Sequence, residues 1–189
     1  MNKNLIVPGI VLTALVIFGY YYFQFMAHES VPGENMFRMA NQYLQDGKHD
    51  DALKTFDKVI ADFPDYKDAY MGRAITLMQM QEFKKSLMDF DRALALDENF
   101  AAAYANRGIL NDRTGNYQEA VSDYRKAIEL NPEVAEGPGL IWRFLHNVSE
   151  KPSTLAARAD YLEEELKKPE AERLLRVPEI DEQQRMYKK

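Results

Sequence analysis

Titratable side chains are plentiful in this chain, yet none stand at spacings that assemble a reactive centre. The three histidines, His28, His49 and His146, lie far apart, and no two have the short spacing that puts two imidazoles on one metal ion. Acidic neighbours occur at Asp50 with Asp51, from Glu163 to Glu165, and at Asp181 with Glu182. Adjacent residues point apart on a helix, so these pairs read as solvated faces rather than as a general acid and its base. The absence of cysteine excludes disulfides, thiolate metal sites and a lipid anchor carried on cysteine. No glycine-rich phosphate loop and no nucleophile elbow interrupts the pattern. No catalytic residue, metal site or cofactor is assigned, and the chain reads as non-enzymatic. With 30 acidic against 24 basic residues and a formal net charge of -6, it carries no basic stripe, so nucleic acid is not an expected partner. A small-molecule substrate is not expected either. What remains is recognition by surface shape.

The elements that must build such a surface announce themselves by a recurrence every 34 residues, running without a gap from Gly33 to Val134. In the third unit the pattern is Tyr104, Gly108, Gly115, Tyr117, Ala120, Tyr124, Ala127 and Pro132. One period earlier the same slots hold Tyr70, Ala74, Gln81, Phe83, Ser86, Phe90, Ala93 and Glu98. In the first unit they hold Met36, Ala40, Gly47, His49, Ala52, Phe56, Val59 and Pro64. A long fixed period is the mark of stacked supersecondary units. The small residues Ala40, Ala74 and Gly108, and their counterparts Ala52, Ser86 and Ala120, fall where two helices must approach closely. Phe56, Phe90 and Tyr124 follow the second set by four residues and share its helix face. Gly47 and Gly115 supply the left-handed turn between the helices, while Gln81 leaves the middle turn more strained. Pro64 and Pro132 close their units, because proline cannot continue a helix interior.

These slots resemble the tetratricopeptide repeat (TPR) family. The resemblance implies that the first helix of each unit lines a concave groove, and it carries over to Glu34, Phe37, Asn41, Leu44 and Gln45, then Asp68, Met71, Ile75, Met78 and Gln79, then Ala102, Ala105, Ile109, Asp112 and Arg113. The partner-binding residues it implies are Phe37, Asn41, Leu44, Met71, Ile75, Met78, Gln79, Ile109, Asp112 and Arg113. Such a groove takes an extended peptide or a helix, burying its apolar side chains. Phe37, Met71, Ile75 and Ile109 would form an apolar strip with few neighbours in the free protein. One TPR subtype holds the C-terminal carboxylate of chaperones through groove lysines, an arginine and asparagines. Asn41 and Asn106 match two of those slots, but Phe37, Gln79 and Ala102 supply no positive charge and only Arg113 is near.

The flanks complete the plan. From Leu5 to Phe25 no residue is charged, a stretch that as a helix spans about 30 Å, the thickness of a bilayer core. Tyr20 to Phe23 and Phe25 crowd its end as an aromatic belt would. The alternative is a secretory signal cut after Ala27, but the apolar run is long for one and Phe25 is large for a cleavage site. Lys3 precedes the span and His28, Glu29 and Glu34 follow it, so positive charge favours the repeats on the far side of the membrane. After the third unit, Gly137 to Gly139 break the pattern. An apolar segment from Leu140 to Val148 with the single Trp142 follows, then a helix from Ser153 to Lys168 with Ser153 as N-cap and Leu155, Ala159, Leu162 and Leu166 as its stripe. Pro169 opens a further short helix carrying Leu174 and Leu175.

The expected fold is all-α: an N-terminal transmembrane helix, a three-repeat TPR solenoid and C-terminal capping helices. The expected divisions are an anchor over 1–27, a linker over 28–32, repeats over 33–66, 67–100 and 101–134, capping helices over 135–178, and a mobile tail over 179–189. The function implied is a single-pass membrane protein, of the bacterial inner membrane with its repeats in the periplasm, acting as a protein-interaction scaffold or assembly adaptor. A permanent subunit of a large membrane complex and an organellar import receptor are the alternatives.

Overall fold

The computed structural model describes residues 15–22, 33–135 and 154–176. The chain divides into two compact units, Met1–Glu34 and Asn35–Lys189. In the first, residues 15–22 are helical and exposed, and no helix among the described residues is long and apolar enough to cross a membrane. The rest of the expected span, the linker, the Leu140 to Val148 segment with Trp142 and His146, Ser153 and the tail over 179–189 lie outside the described residues.

Three helix pairs follow in order: α1 (Glu34–Gln45) with α2 (His49–Asp62), α3 (Lys67–Gln79) with α4 (Phe83–Leu96), and α5 (Ala101–Thr114) with α6 (Tyr117–Leu130). No strand occurs among the described residues. The turns fall where the 34-residue pattern puts them. Gly47 and Gly115 adopt φ of 72° and 86°, and the Gly115 N–H closes α5 on the carbonyls of Asn111 and Asp112. Gln81 takes the same left-handed geometry, φ 61°, with a side chain that disfavours it. Proline is not the sole device for closing a pair. After α4, where Glu98 stands in the proline slot, the Asn99 N–H donates to Asp97 Oδ1 at 2.9 Å, an Asx turn that stops the helix. One period on, the Glu133 N–H donates to Asn131 Oδ1 at 3.0 Å, and Pro132 opens a short 3-10 turn, Pro132–Ala135.

Volume matching holds the pairs together. Ala40, Ala52, Ala74 and Ala120 are wholly buried, and so are the rings of Phe56, Phe90 and Tyr124. A Cβ on Gly108 would lie 2.6 Å from Tyr124 Cδ1, which is why the slot filled by alanine in the other pairs is glycine opposite this ring. A second close approach escaped the repeat pattern: a Cβ on Gly72 would lie 2.4 Å from Cζ of Phe56, in the preceding pair. Ser86 tolerates full burial because its hydroxyl donates to the Ala74 carbonyl at 2.7 Å.

A further helix, α7 (Leu155–Lys167), packs on α6. Its boundary corrects the sequence reading: the N-cap is Thr154, whose Oγ1 accepts from the Ala157 N–H at 3.1 Å, so α7 begins later than a Ser153 cap would allow. Pro169 is the N-cap of a single 3-10 turn, Glu170–Glu172, shorter than the helix expected to start there and ending before Leu174 and Leu175. Of the two leucines beyond it, Leu175 packs on the core, whereas Leu174 is exposed.

Gly108→Ala and Gly72→Ala should each overpack a ring contact that has no room for a methyl group, costing about 1–3 kcal/mol. Thermal melts of the two variants check this, and unchanged melting temperatures would contradict the helix contacts described here.

Candidate functional site

The concave face is assembled from the first helix of each pair, but its parts differ. Between α1 and α3 lies a cleft of about 180 Å³ lined by Phe37, Asn41, Leu44, Gln45, Asp68, Met71, Gly72 and Ile75. Seven of these eight stand at slots the sequence assigned to the groove. Gly72 is the addition; it contributes backbone only, because a side chain there would run into the Phe56 ring. The walls are mostly apolar, with the amides of Asn41 and Gln45 at one side and Asp68 as the one ionisable group of the lining.

The expectation that the apolar strip has few neighbours is corrected. The Phe37 ring packs on Phe56 and Tyr66, with centroids 6.0 and 5.1 Å apart, and Ile75 belongs to the main core with only its edge exposed. Helices of a solenoid share each wall between two pairs, so a groove residue is also a stacking residue.

The third pair contributes almost nothing to an open surface. Ile109 is a core residue, as is Met78 of the second pair beside it in the groove series, and Asp112 is 4% exposed. The Arg158 guanidinium of α7 grips the Asp112 carboxylate with two hydrogen bonds, Nε to Oδ2 at 2.8 Å and Nη2 to Oδ1 at 2.7 Å, and the Tyr124 hydroxyl donates to the same Oδ2 at 3.1 Å. Asp112 therefore seats the capping helix and is not available at the surface. Gln79 and Arg113 remain exposed, and the Arg113 carbonyl accepts from Arg176 Nη2 at 3.3 Å. The helix carrying Leu155, Ala159 and Leu162 thus covers the third pair, and no described residue fills the cleft between the first two.

Sequence reasoning missed a ladder of arginines. Arg73 donates to Asp89 through Nε and Nη2 and to Asp57 through Nη1, each at 2.7 Å. One period later Arg107 repeats this with Asp123 and Asp91, at 2.6 to 2.9 Å. Each guanidinium thus ties a pair to the one before it, and the hydrogen bonds to Asp89 raise the Arg73 pKa further above its ordinary value despite opposing burial. The next slot in the series after Asp57 and Asp91 holds Arg125, which pairs instead with Asp160 and Glu163 of α7 at 2.6 to 2.8 Å. The signal was present in the sequence, since arginine and both aspartates recur at the same 34-residue spacing. Among the described residues, no group of three or more histidines and carboxylates is placed to hold a metal.

Stacked helix pairs of fixed length with a concave face made by each first helix define a helical repeat solenoid. The chain carries tetratricopeptide repeats: models of that family match residues 43–106 and 101–134. Among solved structures it is similar to the TPR2B domain of yeast Sti1 in complex with pHsp70, at 22% identity and TM-score 0.54 over 70% of this chain and 94% of that one. The TPR domain of Arabidopsis OM64 matches at 24% identity and TM-score 0.52 over 53% and 84%. The first TPR of Spaghetti, bound to an HSP90 peptide, matches at 24% identity and TM-score 0.50 over 60% and 87%. At these identities the likeness is one of fold. No protein of curated function matches the sequence.

Asp112→Ala should leave the buried Arg158 charge without its carboxylate and cost about 3–5 kcal/mol. Hydrogen exchange should show protection lost first in α7, with α1 to α4 little changed; uniform loss along the array would contradict this assignment. The Arg125 contacts give a pH test of the same helix. They hold Glu163 below its ordinary carboxylate range, the hydrogen bond from Arg125 being the main cause. Its contribution to docking α7 is therefore full above that range and lost as pH falls through the lowered value.

Proposed function

We propose that the protein is a membrane-anchored, non-enzymatic scaffold or assembly adaptor that receives a peptide or helix of a partner protein in the cleft between its first two repeats. The observation that carries this reading is the cleft itself, apolar in its middle and edged by the amides of Asn41 and Gln45. Apolar walls reward burial of partner side chains, and amides can hold a partner backbone. Of the similar solved structures, one is bound to an HSP90 peptide and another is a complex with pHsp70, which supports peptide capture as a use of this architecture. The lining differs in chemistry from a clamp for a carboxylate end, since it contains no lysine or arginine and does contain Asp68. The uncharged run from Leu5 to Phe25 supports an anchor that holds the repeats near a membrane surface, and the charge flanking it favours a periplasmic array in a bacterial cell.

Because Phe37 and Ile75 also stabilise the stack, the test uses the polar edge of the cleft, the half-buried Asn41 and the exposed Gln45. Replacing Asn41 and Gln45 together by alanine should weaken partner recovery from mild detergent extracts about tenfold, equivalent to ~1.4 kcal/mol, while the melting temperature stays unchanged. Undiminished recovery would overturn the cleft as the partner site.

The anchor has its own test. The mature chain should keep its N-terminal segment and remain with the membrane after alkaline carbonate washing. N-terminal sequencing that starts at His28 would refute the anchor and leave an exported domain.

A further inference from the structure

The last described residues are not loose from the array. Arg158 Nη2 donates to the Leu175 carbonyl at 3.1 Å, and Arg176 Nη2 donates to the Arg113 carbonyl at 3.3 Å. The chain is thereby tied down at the C-terminal end of α5. That helix lies beside α3: the Asn106 amide of α5 meets Met71 Sδ at 4.0 Å, and Met71 lines the cleft. One helix spacing, about 10 Å, separates this neighbour from the cleft. The sequence continues for thirteen residues beyond Arg176, and its final five are Arg185, Met186, Tyr187, Lys188 and Lys189. Nine residues, 177–185, reach about 30 Å when extended, ample for that distance.

The chemistry of that end fits the cleft. Three of its five residues are basic in a chain of net charge -6, and the other two are a methionine and a tyrosine, large side chains able to fill an apolar space. The cleft offers apolar walls at Phe37, Leu44 and Ile75, an acidic group at Asp68, and no basic side chain. We propose that the segment Arg185 to Lys189 is an intramolecular ligand of the cleft, with Met186 and Tyr187 on the apolar walls and the basic residues toward Asp68, so that an outside partner must displace it. This rests on the reading of the cleft as a surface that accepts a peptide. Tethering makes a weak intrinsic affinity sufficient, because a short linker gives an effective concentration in the millimolar range. It also gives the scaffold a threshold: partners bind only when they outcompete a ligand always at hand.

The lack of native cysteine makes the arrangement directly measurable in the full chain. A Gln45→Cys, Met186→Cys variant and a control, Lys85→Cys with Met186→Cys, both alter exposed positions of the array. Under mild oxidation at low protein concentration, the Gln45 pair should form its intramolecular disulfide roughly tenfold faster than the Lys85 pair. Adding Arg185→Glu, Lys188→Glu and Lys189→Glu should bring the two rates together. Equal rates in the unreversed variants, or a preference that survives charge reversal, would overturn the proposal. Partner recovery with the Asn41 and Gln45 alanine variant reads the cleft independently. Equal crosslinking with lost recovery refutes the tethered ligand alone, whereas preferential crosslinking with intact recovery refutes the partner site alone.

Discussion

The stacking of the helices rests on aromatic rings lying against residues that have no side chain. Phe56 occupies the space over Gly72, and Tyr124 the space over Gly108, each so closely that a Cβ could not enter. Rings of this size bury much apolar surface, and interiors packed near crystal density tolerate neither a gap nor an added methyl at such points. The constraint works in both directions along the chain. Gly108 fixes the approach within a pair, and Gly72 fixes the approach between pairs, so the two together set the stacking from which the concave face follows.

Polar contacts divide the labour differently. Arg73 and Arg107 each bridge carboxylates of successive pairs, giving the stack a lateral register that apolar packing alone would specify less sharply. At the end of the series the sign changes, for Arg125 stands where the period calls for aspartate and takes its carboxylates from α7. A helix with Asp160 and Glu163 suits that surface, and a further repeat carrying the ladder arginine would bring like charges together there. The inversion therefore marks where the array stops and a cap begins, and the Arg158–Asp112 pair locks the cap in place.

How much of this could be read from residues depends on whether a feature shares the 34-residue period. Turns at Gly47, Gln81 and Gly115, the helix pairs and the buried small residues all do, and the structure places them accordingly. The arginine ladder shares the period too, but its residues stand outside the pattern of small, aromatic and turn residues by which the repeat is recognised. Gly72 was missed because its counterpart one period later is Asn106, so no recurrence drew attention to it. The cleft-lining slots in the first two pairs were legible apart from Gly72. Burial of Asp112 was not, because it is imposed by Arg158, 46 residues away and outside the repeat. The first pair, whose slots hold Met36, His49 and Val59, is also where the family match begins late, at residue 43.

The division of the concave face has a consequence for what it can recognise. A three-repeat groove open along its length would read a long peptide at many positions, whereas here the cap takes Asp112, and Met78 and Ile109 belong to the core. The remaining cleft is small, about 180 Å³, room for one or two large side chains and the backbone between them. If the cleft receives a peptide as proposed, selectivity would come from a short motif: apolar residues fitted against Phe37, Leu44, Met71 and Ile75, with polarity matched to Asp68 and to the amides of Asn41 and Gln45. A short motif binds weakly on its own. Attachment to a membrane would offset that weakness by confining scaffold and partner to one surface, so in this reading the affinity resides as much in the anchor as in the groove.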